Sequence, residues 1–401
     1  MMTSQREFDL VVYGATSFVG QILCRYLVDR HGVDGDVKWA IAARSQAKLD
    51  AVNASQGTAL PTIVADASDK TALKAMVERA KVVCSTVGPY ALYGSDLVAA
   101  CASSGTHYCD LTGETQWIRR MIDSHGATAR ESGARIVHTC GFDSIPSDLG
   151  VLFTQSQAME SFGKHCQQIR MGVKVMKGSF SGGTIASMLN VLREASDPEV
   201  RKILQNPYAL CPPDHRTGVR QRNVAKPEFD SDLNRWLAPF VMASINTRIV
   251  HRSHALAGHP YGEDFLYDES TLMPSYSKAL MMSLGMGSFM GLLAIKPTRK
   301  LLQTFVLPAP GEGPSPEEQQ AGYFDLRFFG RTAEGQTIKT KVTGDRDPGY
   351  GSTAKMLGEA ATCLVEDIGN TSGGFPTPAT AFGQKLIPHL EQHAGLTFER
   401  L

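Results

Sequence analysis

The stretch Asp9–Leu27, DLVVYGATSFVGQILCRYL, decides how the first part of the chain is read. Leu10, Val11, Val12 and Tyr13 form an unbroken apolar run, the pattern of a strand covered on both faces. Beyond it, Val19, Ile22, Leu23, Tyr26 and Leu27 recur at helical spacing. Gly14 lets the chain leave the strand sharply, Ser17 is small where backbone approaches a ligand, and Gly20 lets the helix pack on the sheet. The amides of Thr16, Ser17, Phe18 and Val19 at the helix start then suit an anion, and a pyrophosphate fits best. A strand-to-helix turn without a ligand would use the same glycines, and Ser17 stands where the dinucleotide fingerprint usually has glycine.

The next strand selects the nucleotide. VKWAIAARSQAKL predicts a strand over Val37–Ala43 that ends in Arg44 and Ser45, where an NAD site would carry an acidic residue for the ribose hydroxyls. Arg44 can pair with a 2′-phosphate instead, with Ser45 and Lys48 as further donors, so the cofactor expected is NADP. An exposed arginine at a strand end is the alternative. The rhythm continues through LPTIVADASD, with Asp66 beside the expected adenine position, and KVVCSTVGPYALYG, a strand over Val82–Thr86 closing on Gly88, Pro89 and Tyr90. GTHYCDLTGE and ARIVHTCGFDSIPSDLG supply two more strands. In a doubly wound parallel sheet, ligands lie outside the carboxyl ends of the strands. Tyr90, His107, Tyr108, Asp110, Asp143 and Ser144 are therefore candidates for chemistry.

Composition bounds the remainder. A chain of 401 residues exceeds one ordinary core, so two domains are expected. Forty basic residues balance forty acidic ones and form no stripe, which argues against nucleic acid as a partner. The eight cysteines include no C-x-x-C pair, as expected of reduced thiols and not of a disulfide framework or zinc site. The start of the sequence reads as a polar lead into a strand, so a cytoplasmic location is expected.

The ordered set GATSFVG, VGPY, GTHYCDLTGE, CGFDSIPSDLG, SGGTIAS, PGEGPSPEEQQAGYF, GYGSTAKMLGEAA and GGFPTPATAFG runs nearly end to end. It resembles the saccharopine dehydrogenase-like oxidoreductase family, in particular its trans-acting enoyl reductase branch. The resemblance implies a Rossmann domain completed by C-terminal segments, an inserted α+β domain, and reduction of a double bond in a lipid or polyketide intermediate. The divisions expected are 1–150 for the nucleotide domain, 151–345 for an inserted substrate and dimerisation domain, and 346–401 for a helical return. True saccharopine dehydrogenases need cations for several carboxylates; Arg193, Arg201 and Arg216 could belong to a surface as readily as to a pocket.

Within the insert, QIRMGVKVMKGSF reads as a strand and Ile185, Met188, Leu189 and Leu192 as a helix whose start Gly182 and Gly183 cap, the alternative being that these glycines bring backbone close to substrate. YFDLRFFGRTAEGQTIKTKVTGD reads as a hairpin, PAPGEGPSPEEQ as a surface loop, and GYGSTAKMLGEAATCLVEDIG as a helix with Ser352 or Thr353 near its cap. Ala279–Ile295 carries no charge and is bordered by Lys278, Lys296, Arg299 and Lys300. Three roles stay open for it: peripheral membrane docking on the inner face, the wall of an acyl tunnel or a dimer contact, and a buried helix. His251, His254 and His259 lack a nearby acidic or thiol ligand, so no metal is expected. The chain has no Tyr-x-x-x-Lys, which removes the short-chain dehydrogenase mechanism.

An enoyl reductase needs an oriented nicotinamide, a donor that polarises the carbonyl, and an acid or water for the α-carbon. Asp143, Ser144 and Tyr90 are the first candidates, and His107 or Tyr108 could equally be the acid; Asp143 could instead cap the following helix. The expected partners are an acyl or polyketide lipid, carrier-bound or free, and a second copy in a homodimer. Two further functions remain open: an NADP-binding lipid- or membrane-associated protein without turnover, and an amino-acid dehydrogenase of the saccharopine type.

Overall fold

A computed structural model describes residues 6–178, 182–215, 219–305, 313–366 and 372–401. Strands β1 (Phe8–Tyr13), β2 (Trp39–Ala43), β3 (Thr62–Val64), β4 (Ala80–Ser85), β5 (His107–Asp110) and β6 (Ile136–Val137) form a parallel sheet in the order β3-β2-β1-β4-β5-β6. Helices α1 (Phe18–His31), α2 (Gln46–Gln56), α3 (Lys70–Glu78), α4 (Tyr90–Tyr93), α5 (Ser95–Ser104) and α6 (Thr115–Ser132) connect them. Every residue of β2 and all but one of β1 are buried, as their unbroken apolar runs require when helices cover both faces. Strand order reverses between β1 and β4, so this is a Rossmann-type doubly wound fold with its switch point there. The second strand begins at Trp39 and not Val37, because Val37 lies before the register with β1 starts at Leu10↔Trp39.

The second sheet is mixed. It contains β7 (Gln168–Lys177), β8 (Glu228–Asp230), β9 (Arg235–Ala238), β10 (Leu266–Met273), β11 (Tyr323–Arg331), β12 (Thr337–Gly344) and β13 (Leu396–Arg400), in the order β13-β12-β11-β7-β10-β9-β8. β7 and β10 are parallel and the other pairs antiparallel. β11 and β12 are the expected hairpin, turning at Gly335 with φ 88°. The helices of this region are α7 (Ile145–Phe162), α8 (Gly182–Glu194), α9 (Pro198–Gln205), α10 (Ala243–Leu256), α11 (Tyr276–Ala294), α12 (Lys296–Phe305) and α13 (Pro316–Gln320). The last is a correction: part of the stretch read as a plain loop is a helical turn, closed by a capping box between Ser315 and Glu318. Residues 308–312 of that stretch, and Arg216, lie outside the described residues.

The chain divides into two compact units, Met1–Phe142 with Tyr350–Ala394, and Asp143–Gly349 with Gly395–Leu401. An expected division at 150 would cut α7. That helix lies on the second sheet, where Gly150 leaves room for the Phe328 ring and Thr154 Oγ1 is 2.6 Å from Thr340 Oγ1. In the first unit, α14 (Gly351–Val365) packs against α1, with Gly358 facing Tyr26 and Leu23. Glu359, wholly buried on α14, accepts from Tyr26 Oη at 2.5 Å and Arg30 Nε at 3.2 Å. Ser352 and Thr353 lie inside the first turn of α14 and not at its cap, which is Tyr350; Thr353 Oγ1 accepts the Phe142 amide at 2.9 Å. The last strand, β13, belongs to the second sheet and pairs with β12.

Candidate functional site

The turn after β1 is built around absent side chains. Gly14 has φ 91°, and a Cβ there would stand 2.6 Å from Val87 Cγ2. A Cβ on Gly20 would fall 2.1 Å from the Gly14 carbonyl oxygen, so α1 starts directly against the turn. Ser17 caps α1: its Oγ accepts the Gly20 amide at 2.9 Å and lies 2.9 Å from Thr86 Oγ1. Thr86 Oγ1 donates its proton to the Gly14 carbonyl at 2.9 Å, so in the Ser17–Thr86 contact the serine is the donor. The hydroxyl therefore does more than stay small. It stitches the end of β1 to the end of β4 across the switch point, a link a glycine would lack. Thr16, Ser17, Phe18 and Val19 are partly accessible, and first-turn amides have no acceptor within their helix.

Beyond β2, Arg44 and Lys48 are exposed and Ser45 is the N-cap of α2 without using its hydroxyl there. Among the described residues the three side chains have no hydrogen-bond or ion-pair partner, which leaves their donors available for a phosphate. Asp66, after β3, binds its own loop: Oδ1 accepts the Ser68 amide at 2.9 Å and hydroxyl at 2.6 Å. Those bonds, with Arg44 nearby, hold its carboxyl below the usual range. Gly88 is exposed and Pro89 half-buried in the loop after β4. Glu114, which the sequence reading passed over, secures that loop by accepting the Tyr90 amide at 2.8 Å and the Ala91 amide at 3.1 Å.

The four candidate catalytic residues are placed very differently. The Tyr90 ring is buried against Trp117, and its hydroxyl donates to the Ser85 carbonyl at 3.0 Å. Tyr108 is fully buried and donates to Asp110 Oδ2 at 3.0 Å; burial drives its pKa far above the ordinary tyrosine value. Ser144 is fully buried and donates to Asn246 Oδ1 at 3.0 Å within the second unit. Asp143 alone is partly exposed. It follows Phe142, whose amide Thr353 holds, and it does not serve as the α7 N-cap, which is Ser144. His107 is occupied by Arg135, whose amide reaches Nδ1 at 3.1 Å and whose guanidinium lies 3.0 Å from Nε2.

At the ends of β5 and β6, Asp110, a candidate from the sequence, meets His138, which the sequence reading missed. Asp110, fully buried, accepts from His138 Nδ1 at 2.7 Å and from the amides of Thr112 and Thr139 at 3.1 and 3.2 Å. These bonds hold Thr139 at φ 62°, a left-handed conformation that a β-branched residue rarely adopts. His138 Nε2 is buried and, among the described residues, has no partner. Its signal in the sequence is a histidine closing the apolar run of ARIVH, the strand that follows the one ending in Asp110.

The histidines of the second unit are engaged with backbone and with each other. His254 Nε2 lies 2.9 Å from the Gly262 carbonyl, and His259 Nε2 lies 2.7 Å from His215 Nδ1. Among the described residues no group of three or more His, Cys, Asp or Glu could hold a metal. All eight cysteines are buried free thiols.

A parallel sheet with its switch point at a glycine cradle, and free cationic donors at the end of β2, define a dinucleotide-binding oxidoreductase. Residues 10–137 match the family described as the saccharopine dehydrogenase NADP binding domain. The chain is 42% identical to a putative trans-acting enoyl reductase of Mycobacterium tuberculosis, over 97% of each chain. It is 36% identical to the trans-acting enoyl reductase of Mycobacterium ulcerans, over 98% of this chain and 97% of that one. The chain thus belongs to the saccharopine dehydrogenase-like NADP-binding family, in its trans-acting enoyl reductase branch, and is an NADP-dependent oxidoreductase. Saccharopine dehydrogenase from Saccharomyces cerevisiae shares the fold, with a TM-score of 0.56 at 12% identity over 98% of this chain and 100% of that one.

Proposed function

We propose that this enzyme reduces the carbon–carbon double bond of an α,β-unsaturated acyl or polyketide lipid intermediate, presented on a carrier or at a membrane surface, and that it works as a homodimer. The observation that carries the reading is near full-length identity to trans-acting enoyl reductases combined with a cradle suited to NADPH. The amides of Thr16, Phe18 and Val19 would hold the pyrophosphate, with Ser17 bracing the turn through its amide bond to the Gly14 carbonyl, while Arg44, Ser45 and Lys48 would hold the 2′-phosphate. Gly88 and Pro89 would border the nicotinamide half of the cofactor and Asp66 its adenine half. When bound, the cofactor supplies a hydride to the β-carbon of the enoyl group.

We assign proton delivery to the α-carbon, directly or through water, to Asp143, the one partly exposed residue of the four candidates. A saccharopine-type substrate is disfavoured, since its carboxylates need available cations. In the second unit Arg170 pairs with Asp230 at 2.6 Å and Arg222 with Glu228 at 2.6 Å, while Arg201 is exposed and bonds the Ala195 and Ser196 carbonyls. Asp143→Asn should lower kcat at least about a hundredfold, the low side of typical acid–base contributions, with NADPH binding unchanged. If that variant keeps full activity while His138→Gln loses it, the donor is His138.

A further inference from the structure

Helix α11 is apolar on all sides, yet among the described residues one side has nothing on it. Its inner face is set by Ala279 and Leu293, both fully buried; Leu293 joins Ile185 and Leu189 of α8, with Phe289 packed against them. On the outer face Met281 is 73% exposed, Leu284 62% and Ile295 55%. A Cβ on Gly285, Gly287 or Gly291 would meet no atom within 4 Å. No charged residue occurs from Ala279 to Ile295, so the outer face is as apolar as the inner one. A surface helix normally turns a polar face to water, and a patch of this kind marks a docking site.

The surroundings identify what it docks on. Lys278 precedes the apolar run and Lys296, Arg299 and Lys300 follow it on α12, while no Asp or Glu occurs between Ser270 and Gly311. Next to the start of α11 is an aromatic chain: Phe229 and Trp236 have ring centroids 5.6 Å apart, and Trp236 and Tyr276 5.0 Å apart. Phe229 and Tyr276 are about half exposed. Apolar bulk, flanking cations and bordering aromatics are the elements of a segment that lies at a membrane interface. We propose that the outer face of α11, with α12 and the Phe229–Trp236–Tyr276 group, docks on an anionic phospholipid bilayer.

The helix lies along the bilayer and does not cross it. At 19 residues it is long and apolar enough to span, but β10 ends at Met273 just before it and Leu293 near its far end packs on α8 of the same unit. A second copy of the chain fits less well, because a two-fold contact would set this cationic rim against itself with no acidic residue to meet it.

The proposal deepens the lipid-substrate reading, and its test needs no turnover. The whole protein is sedimented with vesicles of phosphatidylcholine alone or mixed with phosphatidylglycerol. Binding is expected to the mixed vesicles and to weaken with salt. Lys296→Glu with Lys300→Glu should weaken it roughly thirtyfold or more, from a loss of two surface cations. Leu284→Ser with Ile295→Ser should also abolish binding; both side chains are exposed, so NADPH binding should persist as the check on folding. Equal affinity for neutral and mixed vesicles, no binding to either, or unchanged binding by both variants would overturn the proposal. So would a dimer that the leucine and isoleucine changes convert to monomer without altering vesicle binding. None of these results touches the enoyl reductase reading, which is measured with soluble substrate.

Discussion

Replacing Gly20 by alanine places one methyl group where the structure has none to spare. The new Cβ would lie 2.1 Å from the Gly14 carbonyl oxygen, whereas ordinary contact begins at 3.4 Å, so the turn and the start of α1 must separate by about 1.3 Å. The obstacle is backbone, not a side chain that can rotate away. Gly14 itself cannot retreat freely, because its carbonyl accepts from Thr86 and from the Ser17 amide at 2.8 Å. Overpacking of this kind costs about 1–3 kcal/mol in stability, and a displacement near 1 Å pulls charge-assisted amide bonds beyond their range. NADPH affinity, read by fluorescence titration, should fall by at least about a hundredfold, equivalent to about 2.7 kcal/mol. Gly285→Ala is the control: it has open space around it and should leave NADPH binding unchanged. Parent-like NADPH affinity in Gly20→Ala would refute the placement of the cofactor on this turn.

Other consequences follow from the same geometry. Arg44→Ala should remove most of the preference for NADPH over NADH, by a factor of about 10–150 for a charge-assisted pair, as read from the ratio of the two dissociation constants. Ser17→Ala and Ser17→Gly should each lose about 0.5–1.5 kcal/mol with the bond to Thr86, and Ser17→Ala about 1 kcal/mol more through the lost cap, measured by chemical denaturation. For pH, burial lowers His251 to about 3 and His254 to about 4 from an ordinary 6.5. These groups bind protons more readily when unfolded, so they withdraw stability as pH falls below 6.5. Burial raises Glu269 to about 7 and Asp268 to about 6, so the folded state takes up protons there and the two effects oppose each other down to 4.5, the ordinary value for Glu269. Below that Asp268 opposes only as far as 3.8, its ordinary value, and carboxyls held low in the fold, Asp66 among them, add to the loss from the histidines. Melting temperature should therefore drop most steeply below pH 4.5, with a shallower drop in His251→Gln; an identical pH slope in that variant would contradict the assignment.

The nucleotide unit was legible because its signals are local. The run into Gly14 and the spacing of the α1 residues lie within short windows, and both read the same in the fold. Segments that depend on distant partners were harder. Nothing in SIPSDLG says that α7 belongs to the second sheet; that is decided by Phe328 filling the space over Gly150. Likewise β13 has an ordinary strand composition and is placed by its register with β12. Tyr90 and Tyr108 looked available because they stand at strand ends, but their hydroxyls find acceptors in Ser85 and Asp110 that sequence proximity to the crevice does not reveal. Asp110 and His138 are 28 positions apart and meet only because β5 and β6 are neighbours.

Enoyl reduction by this chain is tested most directly by incubating the whole purified protein with NADPH and a long-chain 2-enoyl thioester, then following cofactor oxidation and product mass together. The expected result is one saturated acyl thioester, two hydrogens heavier, for each NADPH consumed, with little turnover when NADH is substituted. No consumption with any enoyl thioester, alongside NADPH-dependent turnover of an amine and keto acid pair, would contradict it.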